Sequence, residues 1–185
     1  MSLRWLPNAI CVIRVLLVVP LVAALLGERY ELALALLIVA GGSDAVDGFL
    51  AKTFDWRTRL GGLLDPAADK ILINSVFVAL TYLGAVPAAL AVIVVLRDVV
   101  IVVGSLAYHV LIEPLQGQPA AISKLNTACQ LAFVLFALTD AAYGWPGRLV
   151  LLPLGAAVVF TSITSGLTYV LRWSRRAWHA SHARA

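Results

Sequence analysis

The chain has 185 residues, 62% of them hydrophobic and 13% charged, with a formal net charge of +4 and a mean hydropathy of +0.94. A soluble domain carries roughly 25% charged residues, so this composition excludes an ordinary soluble globule, and no nucleic-acid partner is expected. Charge-poor stretches from Ile71 to Leu96 and from Leu149 to Leu171 each exceed the ~20 apolar residues of a membrane-spanning helix.

The expected fold class is therefore all-α, a polytopic membrane protein with six transmembrane helices. In chain order these are Asn8 to Leu26, Glu31 to Leu50, Asp65 to Leu83, Ala88 to Val110, Ile122 to Ala142 and Gly147 to Leu171. The first follows Arg4 with no small-residue cleavage site, and is expected to be retained. Breaks fall at Gly27-Glu28-Arg29, the polar Lys52 to Arg59 loop, Gly84 to Pro87, Pro114 to Pro119 and Tyr143 to Pro146. No internal repeat or second domain is evident, so residues 1–185 are expected to form a single membrane domain. Cys11 and Cys129 lie in apolar stretches without metal or disulfide spacing, and read as small buried residues.

Six spans put both termini on one side, with the loops around 51–61 and 111–121. That side carries Arg4, Lys52, Arg57, Arg59, Arg172, Arg175, Arg176 and Arg184, against Arg29 and Arg148 opposite. The positive-inside rule then makes both termini cytoplasmic, in a cell (inner) membrane. The tail from Arg172, with Trp173 and Trp178 among its arginines, reads either as a segment at an anionic lipid surface or as a topology signal. His109 at a helix end and Asp140 near a loop read as interfacial residues without chemistry.

Four carboxylates fall where lipid should be. Asp44 and Asp47 are three apart and share one helix face; Asp65 and Asp69 are four apart and do likewise. The polar loop between the second and third segments makes them antiparallel neighbours, so both pairs are expected to converge on one cavity, which is also expected to lie on the cytoplasmic side. An Asp near the middle of a span costs roughly 2.5–3.5 kcal/mol on insertion scales, so a cationic partner is required. Two divalent ions would cancel four aspartates, and oxygen ligands without His or Cys favour Mg²⁺ or Mn²⁺. Such a two-metal clamp suits phosphoryl transfer. Other readings stay open: Asp65 before Pro66 resembles a helix N-cap with proline at the first position, and Asp44 or Asp47 could pair with Lys52 or Lys70.

The stretch DAVDGFLAKTFDWRTRLGGLLDPAAD, Asp44 to Asp69, resembles the signature of the CDP-alcohol phosphatidyltransferases, D-x-x-D-G-x-x-A-R-x8-G-x3-D-x3-D. Asp44, Asp47, Gly48, Ala51, Gly61, Asp65 and Asp69 match in spacing, while Lys52 stands where the family has Arg. An ammonium neutralises a diphosphate oxygen but lacks the bidentate fork. Asn8 to Arg14 resembles the family's N-x-x-T-x-x-R element, with Cys11 in place of Thr. The resemblance implies that Asp44, Asp47, Asp65 and Asp69 hold two metal ions and that Asp69 is the general base. It also implies that the donor lies against Asn8, Gly48, Ala51, Lys52 and Gly61, and that the protein is a homodimer among membrane lipids.

The signature fixes the donor, CDP-diacylglycerol, better than the acceptor. DPAADKILI, LRDVV and ISKLNT (Ile122 to Thr127) are similar to the CMP-forming cardiolipin synthase branch, whose acceptor is phosphatidylglycerol and whose products are cardiolipin and CMP. The phosphatidylglycerophosphate synthases, which use glycerol 3-phosphate, typically show Arg-Glu and Gly-Lys-x-Lys-Thr at these places; here Asp98 follows Arg97, and Asn126 replaces the second Lys. One cation fewer suits a monoanionic diester. Arg57, Arg59, Arg97, Lys124 and Asn126 are the candidate acceptor-binding residues, although Arg97 could equally be the structural partner of Asp98 or another buried acid. Buried carboxylates also serve transporters, but paired halves and discontinuous helices are not evident.

Overall fold

A computed structural model describes the backbone of residues 6–53, 61–111 and 121–182 and the side-chain surroundings of 11–43, 68–104, 121–171 and Ser174. Among these residues every regular element is helical: α1 (Leu6–Leu26), α2 (Tyr30–Thr53), α3 (Gly61–Tyr82), α4 (Ala88–Leu111), α5 (Ala121–Tyr143) and α6 (Arg148–His182). Two helical segments, Ala121–Tyr143 and Arg148–Leu171, are long and apolar enough to cross a membrane among the described residues.

The helix ends follow backbone chemistry. α3 stops at a Schellman cap in which Gly84 takes φ +74°, with the Ala85 N–H bonded to the Leu80 carbonyl at 2.9 Å. α1 stops in the same way, but the left-handed residue is Glu28 (φ 55°) rather than the neighbouring Gly27, with the Arg29 N–H bonded to the Ala24 carbonyl at 2.8 Å. After α5 the Asp140 carboxylate accepts the Gly147 N–H at 2.7 Å, which gives that acid a turn-closing role.

Two expected boundaries are corrected. α3 begins at Gly61, so Asp65 lies within the helix instead of capping it. α6 runs on past Leu171 to His182, 35 residues in all, or about 52 Å at 1.5 Å per residue. The apolar run ends at Leu171, but the Arg-, Trp- and Ala-containing segment after it holds no Gly or Pro to stop the helix.

The chain forms two compact units. Residues 1–87 and 134–148 make the first, and residues 88–133 and 149–185 the second. In the first unit α1 packs against both α2 and α3, around a core that includes Leu21, Leu25, Leu37, Phe77 and Leu80. In the second, Val94 and Val158 are fully buried, and α6 passes Leu90 of α4 and Phe133 of α5 at Gly155. A Cβ on Gly155 would sit 3.3 Å from each of those side chains.

Polarity is distributed as in a protein whose solvent is apolar. Val12, Ile13, Leu16 and Val19 on α1, and Phe160, Ile163 and Leu167 on α6, are exposed, whereas Asn126, Gln130, Ser162 and Ser165 are buried. In lipid such polar side chains turn inward and bond across helices.

Candidate active site

The backbone places Asp44, Asp47, Gly48, Ala51 and Lys52 on α2, and Gly61, Asp65 and Asp69 on α3. α1, which carries Asn8 and Arg14, packs against both of these helices. The side chains of Asn8, Asp44, Asp47, Lys52 and Asp65 lie outside the described residues, as do Arg57 and Arg59 altogether. The expected convergence of the four carboxylates therefore rests on helix placement and spacing. Among the described residues no group of three or more His, Cys, Asp or Glu comes together as a metal site.

Asp69 is described, and its setting is informative. Arg14 Nη1 donates to Asp69 Oδ1 at 2.8 Å, and the two side chains differ sharply in exposure, 0% for Arg14 and 31% for Asp69. The guanidinium is enclosed by the packing of α1, while the carboxylate it holds remains open to its surroundings. One turn before Arg14, Cys11 is also buried, so a thiol fills the position where the family has a hydroxyl. The sequence marked Arg14 as the end of an N-terminal element and as one of several available cations; that it reaches Asp69, 55 residues away, required the α1–α3 packing.

In the second unit, the Arg97 guanidinium donates to Asp98 Oδ1 at 2.6 Å, to Ser123 Oγ at 2.7 Å and to Ser165 Oγ at 2.6 Å. It thereby joins α4, α5 and α6. Arg97 and Asp98 are both buried, which realises the structural pairing that the sequence left open. Asn126 is wholly buried, and its Oδ1 accepts from Thr161 Oγ1 at 2.9 Å and Ser162 Oγ at 2.8 Å. Lys124 is exposed. Ser123 was singled out from the sequence as part of the Ile122 to Thr127 stretch, whereas the hydroxyls of Thr161, Ser162 and Ser165 were not. Their only signal was the recurrence of small polar residues at helical spacing within an apolar run.

A family model described as CDP-alcohol phosphatidyltransferase matches residues 4–170. The chain belongs to this family. The CDP-alcohol phosphatidyltransferases are membrane-associated and generally depend on divalent metal. The chain is 32% identical over 179 residues to a human protein named cardiolipin synthase (CMP-forming), an alignment covering 88% of this chain and 60% of the human one. It is 33% identical to a Streptomyces coelicolor protein of the same name, over 76% of this chain and 62% of that one. It is also 31% identical to a chloroplastic CDP-diacylglycerol–glycerol-3-phosphate 3-phosphatidyltransferase 1 of Oryza sativa subsp. japonica, over 65% of this chain and 42% of that one. The chain thus spans about 60% of the length of the human relative.

Proposed function

We propose that this protein is a cardiolipin synthase that transfers the phosphatidyl group of CDP-diacylglycerol to phosphatidylglycerol and releases CMP. The observation that carries the reading is the family signature set across α2 and α3, with its last aspartate held by Arg14 while staying partly exposed. The acceptor rests on Asp98 after Arg97 and on Asn126 in place of a lysine, and relatives named for cardiolipin synthesis support it. The rice relative's name keeps phosphatidylglycerophosphate synthesis from glycerol 3-phosphate as the second reading. The transporter alternative loses its ground, because the family signature accounts for the same carboxylates.

In this reaction the acceptor hydroxyl oxygen forms a bond to the phosphatidyl phosphorus, and the bond from that phosphorus to the CMP oxygen breaks. The hydroxyl proton passes to the Asp69 carboxylate, whose partial exposure leaves it reachable. Gly48 and Gly61 let the nucleotide diphosphate approach the helix backbone, and Lys52 offsets its charge. The four-aspartate donor set contains only oxygens and fits hard divalent cations, so Asp44, Asp47, Asp65 and Asp69 would hold Mg²⁺ or Mn²⁺, two ions on charge balance. Bound there, the ions would disperse charge on the transferring phosphoryl group. For the acceptor headgroup we assign Lys124, Arg57 and Arg59, with Arg97 and Asn126 shaping the surroundings from their buried positions.

The reading includes six membrane spans in one domain of residues 1–185, both termini and the site on the cytoplasmic face of a cell membrane, and a homodimer. The deciding experiment supplies the reconstituted full chain with CDP-diacylglycerol and either labelled phosphatidylglycerol or labelled glycerol 3-phosphate, with and without EDTA. Label from phosphatidylglycerol should end in cardiolipin as CMP is released, and chelation should abolish the product. Consumption of glycerol 3-phosphate alone transfers the assignment to the second reading, and full activity in excess EDTA overturns the metal assignment.

A further inference from the structure

Four aspartates in the signature carry four negative charges, yet one of them already has a permanent countercharge. Arg14 is wholly buried and its guanidinium sits 2.8 Å from Asp69 Oδ1. A guanidinium stays protonated at any pH the protein meets, so the four aspartates and Arg14 together carry a formal charge of minus three before any ion binds. Two divalent cations then leave the loaded site with one surplus positive charge, where four aspartates alone would leave it neutral. A surplus positive charge is what a dianionic diphosphate donor needs. The same charge repels the metal ions.

We propose that Arg14 is a positioning residue with two separable actions: it fixes the Asp69 carboxylate, and it trades metal affinity for affinity toward the anionic donor. The inference rests on the proposed place of Asp69 in the metal and donor site. Geometry supports the first action, because a side chain with no exposure cannot swing away, whereas Asp69 on its own would sample several rotamers. Coulomb's law supports the second. At an effective dielectric of about 20, a unit charge and a divalent ion several ångströms apart interact by enough to change affinity tenfold or more.

The two actions give a pattern of opposite signs that a packing role does not produce. In the purified full chain, Arg14→Met should tighten Mn²⁺ binding, read by electron paramagnetic resonance without substrate, by about tenfold. It should also raise the KM for CDP-diacylglycerol and lower kcat. Arg14→Lys keeps the charge but not the planar fork, so Mn²⁺ affinity and donor KM should stay near the parent values while kcat remains low. Arg14→Gln, which keeps a polar amide in place of the charge, serves as a second neutral variant if the methionine variant does not fold. Weaker or unchanged Mn²⁺ binding in a folded neutral variant overturns the proposal, since loss of packing alone would loosen the metal site. Asp69→Asn separates this from the underlying reading. If it leaves Mn²⁺ affinity untouched, Asp69 is not a ligand, and the assignment fails at that step whatever Arg14 does.

Discussion

Among the described residues Arg14 and Arg97 are the buried arginines, and they hold their acids in opposite ways. Arg97 is sealed: Asp98 is buried with it, and Ser123 and Ser165 accept further N–H groups of the same guanidinium at 2.6–2.7 Å. Arg14 is as deeply enclosed, but its partner Asp69 keeps 31% of its side chain exposed. A sealed pair is a fastening between helices, with a desolvation cost that its own Coulomb energy and hydrogen bonds must offset. An open pair can hold its acid in place and still offer that acid to a ligand. Residue types alone do not distinguish them, since each is an arginine against an aspartate; the exposure of the acid does.

The largest effect that could break this contrast is on turnover. Asp69→Asn should lower CMP release by about 10²–10⁴-fold, while a melting profile close to the parent's shows that the amide oxygen still accepts from Arg14. A loss below tenfold would remove Asp69 as the base. At the sealed pair the expected loss is in stability. Arg97→Met leaves Asp98 buried without its guanidinium and should cost about 3–5 kcal/mol in unfolding of the detergent-solubilised chain. Adding Asp98→Leu should recover most of it, and a single variant as stable as the parent would mean the pair is not sealed. A smaller cost, about 1–2 kcal/mol, is expected for Asn126→Leu, which removes the acceptor for Thr161 and Ser162. The sequence alone suggests that Asn126→Lys would import a cation and favour glycerol 3-phosphate. With position 126 wholly buried, it should depress turnover with both acceptors, and a gain with glycerol 3-phosphate would show that the pocket opens there. Smallest is Lys52→Ala, expected to raise the donor KM about fivefold with Lys52→Arg near the parent value; unchanged kinetics would leave Lys52 a topology charge only.

Helix number and order were legible because apolar runs and their Gly, Pro and charged breaks are local signals. Ala88 was placed as the start of α4 to the residue, and α5 (Ala121–Tyr143) within one residue at each end. The α6 boundary was missed because hydropathy marks where a helix leaves lipid, not where it stops being a helix. Asp65-Pro66 misled in the opposite direction, since α3 starts four residues earlier, at Gly61, and carries Pro66 as its sixth residue, past the first turn where proline is ordinarily tolerated. At the site, the aspartate spacing was visible because it is a periodicity on α2 and α3. The reach from Arg14 to Asp69 was not, because it depends on how α1 packs. Likewise Arg97-Asp98 could be read from adjacency, but the contributions of Ser123 and Ser165 depend on which faces of α5 and α6 meet α4.

Gly155 sets the gauge for those interhelical bonds. Its missing methyl lets α6 run close to Leu90 and Phe133, where an added carbon would stand 3.3 Å from each. About two turns further along the same helix, Thr161 and Ser162 reach Asn126 at 2.9 and 2.8 Å. The hydroxyls are cut to the spacing that the glycine allows, so the glycine works as a shim. A thicker one would be felt less where it is inserted than two turns away, where short polar side chains have no slack to follow a helix pushed aside.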